Sequence, residues 1–104
     1  MLLGMAPEHG LPAHGMKFEL RLLESTGEGV RYALTVALPS GSHVGRAELA
    51  GDSGEIRFGW DESAPPEWCI TAVRAQLRTL YRQRASGYPR RITRWRPAPD
   101  EAAS

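Results

Sequence analysis

Val30-Arg31-Tyr32-Ala33-Leu34-Thr35-Val36-Ala37-Leu38 alternates more strictly than any other stretch of this chain. Successive side chains of a strand point to opposite faces. Val30, Tyr32, Leu34, Val36 and Leu38 therefore share one side, and Arg31, Ala33, Thr35 and Ala37 share the other. The stretch predicts a strand with one apolar face, and its surroundings repeat the pattern. Upstream, Phe18, Leu20 and Leu22 alternate with Lys17, Glu19 and Arg21, and Ser25-Thr26-Gly27-Glu28-Gly29 supplies a turn between the two runs. Downstream, Pro39-Ser40-Gly41-Ser42 breaks the alternation, and a shorter strand is expected from about His43 to Ala50. After Gly51-Asp52-Ser53-Gly54, the residues Ile56, Phe58 and Trp60 alternate with Glu55 and Arg57. Short Gly- and Ser-rich connections between alternating runs favour sequential hairpins, hence an antiparallel meander.

The period changes after Pro65-Pro66. Apolar residues recur at Cys69, Ile70, Val73, Leu77, Leu80 and Tyr81, which is the spacing of an amphipathic helix. A residue before proline avoids the helical region, so Pro65 is expected as the N-cap and Pro66 as the first helical residue. Glu67 in the first turn and Arg82 and Arg84 in the last suit the helix dipole, and Gly87 is expected to close the helix. Arg90–Arg96, with Ile92, Thr93 and Trp95, is expected to add a last strand. These elements predict an α+β fold: an antiparallel four- to five-stranded meander sheet with one amphipathic helix packed on one face, in the order β-β-β-β-α-β. Residues 16–97 are expected to form the single domain. Residues 1–15, with three glycines and two prolines and no periodicity, and residues 98–104 read as flexible tails, with Met16 as an alternative start to Met1.

The chain has 104 residues and a formal net charge of +1, but the charge is unevenly spread. Residues 1–64 carry five basic and nine acidic side chains, whereas residues 65–104 carry eight and three. Eight of the twelve arginines lie between Arg74 and Arg96, and Lys17 is the only lysine. A lone cysteine, Cys69, excludes an intramolecular disulfide and a multi-cysteine zinc site. It is expected to pack in the core as a small hydrophobe. No run approaches the ~18 apolar residues of a membrane span. The first residues lack the basic and apolar regions of a secretory signal, so a cytoplasmic location is the default expectation.

Chemistry-bearing motifs are few. Gly51-Asp52-Ser53-Gly54 matches the nucleophile tetrapeptide of trypsin-like serine proteases in four letters. Glu55 follows where that motif has glycine, and no His/Asp framework accompanies it, so the tetrapeptide reads as a hairpin loop. His9, His14 and His43 are too scattered for a metal site. Asp61 and Glu62 read as loop solvation and a complement to the helix dipole. Neither a catalytic residue, a metal nor a cofactor is expected.

What remains is the arginine cluster. Arg74, Arg78 and Arg82 are spaced i, i+4 and are expected to form a ladder roughly 6 Å apart on one helix flank. Arg90, Arg91, Arg94 and Trp95 would extend this zone if the last strand lies near the helix. Trp68 is the other candidate contact, either packed under the Pro-Pro loop or exposed at an interface. The competing reading pairs these arginines internally with strand carboxylates such as Glu19, Glu48 and Glu55. The expected function is a non-catalytic binding module acting through protein–protein interaction via the Arg-rich helix flank. Its expected partner is a protein with an acidic surface, or a second copy of itself, and no membrane. The alternative is a nucleic-acid-binding domain that uses the helix and last strand, with aromatic stacking.

Overall fold

The computed structural model of this chain describes residues 11–99. Four consecutive strands, β1 (Met16–Thr26), β2 (Gly29–Leu38), β3 (Gly41–Ala50) and β4 (Ile56–Trp60), are followed by the helix α1 (Glu67–Arg82). A 3₁₀ turn (Arg84–Ser86) and β5 (Arg91–Arg96) follow the helix. The sheet has five antiparallel strands in the order β4-β3-β2-β1-β5, with α1 packed on one face: an α+β fold.

Strand order follows from chain geometry. The meander leaves β1 and β4 as edges, and the helix starts beside β4. Its 16 residues span about 24 Å at 1.5 Å per residue. Five strands at about 4.8 Å spacing span about 19 Å between the outer two. The helix is therefore long enough to carry the chain across the sheet, and β5 pairs with the free side of β1.

Alternation selects the covered face. Met16, Phe18 and Leu20 of β1, Val30, Tyr32, Leu34 and Val36 of β2, Ala47 and Leu49 of β3, and Ile92 of β5 are all buried. They pack with Cys69, Val73, Leu77 and Leu80 of α1 into one core. Tyr32 fits there because its hydroxyl donates to the Pro89 carbonyl at 2.8 Å, which satisfies the one polar atom of a buried ring.

Several boundaries differ from the sequence expectation. Pro66 is the N-cap and Glu67 the first helical residue, one position later than the prolines suggest. An N-cap takes extended dihedrals, and Pro66 has ψ 154°. The helix ends at Arg82, and Gly87, at φ +93°, closes the 3₁₀ turn that follows rather than the helix. β3 begins at Gly41, because the ladder with β2 continues to the Leu38–Gly41 pair and leaves Pro39-Ser40 alone as the turn. A bulge between Leu22 and Glu24 places Leu23 outside the pairing and leaves it exposed. The segment before β1 is docked in part: the His14 carbonyl accepts the Trp95 indole N–H at 3.0 Å, and Gly15 is buried. Residues 1–10 and 100–104 of the expected tails lie outside the described residues.

Candidate functional site on the uncovered face of the sheet

The three arginines of the helix flank differ in their surroundings: Arg78 and Arg82 are exposed and Arg74 is partly buried. The Arg74 guanidinium lies 5.5 Å from the Phe58 ring centroid, a cation–π contact that draws it toward β4. Arg82 donates to the Thr79 hydroxyl at 3.2 Å. Arg84 donates to the Tyr81 carbonyl at 2.7 Å, and its guanidinium carbon sits 4.0 Å from the centroid of the Tyr81 ring. Arg78 is exposed and makes no ion pair among the described residues. No strand carboxylate reaches this flank, so the internal pairing expected as its competitor does not occur there either.

β5 splits the remaining arginines. Residues 92, 94 and 96 face the helix side with Leu20, Phe18 and Met16 opposite them, while 91, 93 and 95 face the other side with Arg21, Glu19 and Lys17. Arg91 and Trp95 are thereby separated from Arg94, and neither joins the helix arginines. Arg94 and Arg96 donate to the Thr93 and Trp95 carbonyls at 2.9 and 2.8 Å. Arg90 is exposed in the loop before the strand. Trp68 is half-buried against the core, which is the packing alternative for that residue.

The face of the sheet opposite α1 gathers what the sequence scatters. Read across the strands from β4, the register gives the row Gly59, Arg46, Ala33, Arg21 and Arg91. The next row is Val44, Thr35, Glu19 and Thr93, and the last is Ser42, Ala37, Lys17 and Trp95. On the other side of the first row lie Arg57, Glu48, Arg31 and Glu24. The central strand contributes the short side chains Ala33, Thr35 and Ala37. Lys17, Glu19 and Arg21 of β1 and Arg46 of β3 are longer, so by side-chain length the face is lowest along β2, a shallow trough between these residues.

Three cations of this face are engaged. Arg31 pairs with Glu24 at 2.9 Å, Arg57 with Glu55 at 3.4 Å, and Arg91 with Glu19. Lys17, Arg21 and Arg46 have no ion-pair partner among the described residues. They line the two walls of the trough. Trp95, 51% exposed, stands at its corner beside Lys17. Sequence reasoning missed Lys17, Arg21 and Arg46 because they belong to the acidic half of the chain. Their signal was present in the alternation, which places each of them on the outward side of its strand.

The Gly51–Gly54 loop and His43 both make structural contacts. The Gly51-Asp52-Ser53-Gly54 loop is closed by Tyr81, whose hydroxyl donates to the Asp52 carbonyl at 3.1 Å, while the Ser53 hydroxyl accepts the Glu55 N–H at 3.2 Å. His43 Nδ1 lies 3.0 Å from the Ser63 carbonyl and 3.3 Å from its hydroxyl. A proton on Nδ1 serves the carbonyl, and the same nitrogen then cannot act as a base toward the hydroxyl. No group of three or more His, Cys, Asp or Glu residues converges as a metal site among the described residues. Nor is any described helix long and apolar enough to cross a membrane.

Cys69 is fully buried, and burial pushes its thiol up from 9.0 to about 11. The folded protein thus disfavours the thiolate. A thiol-specific disulfide reagent is expected to react with Cys69 only as fast as the protein unfolds. Because the folded value lies above the unfolded one, the stability linked to this group is complete below pH 9.0 and is lost as pH rises through about 11. The Tyr32 hydroxyl, pushed by burial from 10.0 to about 12, extends that loss upward. Urea unfolding over this alkaline range should show the decline, and Cys69→Ala should remove its earlier part.

No family model matches this chain, and no curated protein or solved structure does so either.

Proposed function

We propose that this protein is a non-catalytic binding module that engages an acidic partner protein through the uncovered face of its sheet. The observation that carries this reading is the set Lys17, Arg21 and Arg46, cations without ion-pair partners among the described residues, lining the trough over Ala33, Thr35 and Ala37. The helix flank proposed from sequence spacing is the weaker surface, because Arg74 is drawn onto the Phe58 ring and Arg82 is turned back onto Thr79. Trp95 adds a half-exposed ring of the kind enriched at interface hot spots.

A protein partner suits this face better than a nucleic acid. Glu19, Glu24 and Glu48 are interspersed among the cations. Single-stranded nucleic acids are held by a basic groove interleaved with several aromatic rings on which successive bases stack, whereas the rows of this face carry one ring, Trp95. A folded partner matches both signs at fixed positions and gains specificity from them.

The test uses two probes, poly-L-glutamate and single-stranded oligo(dT), at a series of salt concentrations. The triple variant Lys17→Glu, Arg21→Glu, Arg46→Glu is expected to weaken poly-L-glutamate binding by on the order of 10–100-fold, from exposed pairs contributing up to about 1 kcal/mol each. Arg78→Glu with Arg82→Glu is expected to change it little. Equal losses in both variants would return the site to the helix. Tighter binding of oligo(dT), with a steep salt slope, would replace this reading with the nucleic-acid one.

A further inference from the structure

The two edges of the sheet are finished differently. At β5, the Leu22 N–H donates to the Arg90 carbonyl at 2.8 Å. Even-numbered residues therefore turn their backbone groups to β1, and Arg91, Thr93 and Trp95 turn theirs outward. Two of those outward carbonyls, on Thr93 and Trp95, already accept the Arg94 and Arg96 guanidinium groups. Charged side chains folded onto an edge in this way oppose the addition of another strand.

β4 has no such protection. Ala50 N–H donates to the Glu55 carbonyl, and Asp61 N–H to the Val44 carbonyl, both at 2.9 Å. Arg57 and Gly59 therefore face β3, and Ile56, Phe58 and Trp60 direct their N–H and C=O groups outward. No hydrogen bond among the described residues takes up these groups. On the helix side, Phe58 and Trp60 stack with ring centroids 6.0 Å apart and remain only partly buried. Gly59 is equally unexplained by the single chain. A Cβ there would meet nothing within 4 Å, although glycine weakens a strand and often marks the close approach of another chain.

We infer that two copies of this protein pair through β4, antiparallel about a two-fold axis at Phe58, joining two five-stranded sheets into one. This register sets Phe58 against Phe58 of the second copy and Ile56 against Trp60, engaging every outward backbone group of the strand in roughly six hydrogen bonds. It also sets Arg57, the one cation of the strand, against Gly59 of the second copy, where no side chain opposes it. Shifting the register one step places Arg57 against Arg57, a like-charge pair. Shifting it the other way leaves Ile56 unpaired. A two-fold axis normal to the sheet keeps both helices on one side and both basic troughs on the other. The dimer would thus present two copies of the binding face to a partner.

Sedimentation over a concentration series tests the pairing. The unmodified protein is expected at twice the 11.5 kDa chain mass. Gly59→Arg places like charges opposite each other on both sides of the axis and should return a single-chain mass with unchanged thermal unfolding of the monomer. Adding Arg57→Glu to Gly59→Arg restores opposite charges and should restore the dimer. Hydrogen exchange provides a readout that needs no variant: the outward amides of Ile56, Phe58 and Trp60 should be protected at concentrations where the dimer forms. A single-chain mass for the unmodified protein at every concentration overturns the inference, as does a dimer insensitive to Gly59→Arg or freely exchanging outward amides. A dimer lost on reversing Lys17, Arg21 and Arg46 instead would place self-association on the open face. Pairing and partner binding fail separately, because a monomer that still binds poly-L-glutamate leaves the proposed function intact.

Discussion

Phe18→Ala is expected to lose about 3–5 kcal/mol of folding stability, read from the shift of the urea unfolding midpoint. Phe18 is fully buried on β1, opposite Val36 of β2 and Arg94 of β5 in the ladder. Removing its ring opens a cavity beneath the helix, because a packed core relaxes only partly around a deletion. Domains of this size are stable by about 5–15 kcal/mol, so the loss is a large fraction of the total. Val44→Ala gives the contrast. Val44 is 48% exposed on the uncovered face, and its truncation should stay within about 0.5 kcal/mol. Similar losses at both positions would mean that something covers the face described as open.

Gly45→Val is expected to detach β4. A Cβ at Gly45 would run into the backbone carbonyl of Gly59 and come within 2.9 Å of Trp60 Cε3. The first obstacle is main chain and cannot rotate away, so β4 must move off β3 or the strand must buckle. Overpacking in a well-packed site costs about 1–3 kcal/mol. Here the damage should fall on one strand, with amides that bond across the β3–β4 ladder, such as Arg57 and Gly59, losing hydrogen-exchange protection first. Gly59 itself, opposite Arg46 in the ladder, has open space where its side chain would be. The two glycines thus differ in kind: the first is required by the fold of one chain, the second is not.

Much of this architecture was legible in the sequence because two periods dominate it. The alternation from Val30 to Leu38 assigns the helix-facing side of β2 correctly, although Ala37 on the other side is buried as well, and the Cys69-Val73-Leu77-Leu80 spacing assigns the helix face that meets it. Local signals were less decisive at the boundaries. Two consecutive prolines admit either as the cap, and Gly87 closes a 3₁₀ turn that the helical pattern runs into without a break.

The candidate site was harder to read, for a physical reason. Charge runs along the chain are visible in a sequence, whereas a sheet face is assembled across strands. Lys17 and Arg21 share β1, separated by Glu19, and Arg46 of β3 is brought to the same face only by the order β4-β3-β2-β1-β5. Conversely, the arginines from Arg74 to Arg96 are close in sequence but divided among a helix flank, a loop and the two faces of an edge strand. The i, i+4 spacing did place Arg74, Arg78 and Arg82 on one flank. It carried no information about Phe58, whose ring arrives from β4 and takes up Arg74.

The most direct test of where this protein binds is a backbone amide NMR titration with poly-L-glutamate. Shifts concentrated at Lys17, Arg21, Thr35, Arg46 and Thr93, with the Trp95 indole among them, are the expected result. Shifts confined to Arg74, Arg78 and Arg82 on the helix, with the sheet unmoved, would contradict the account.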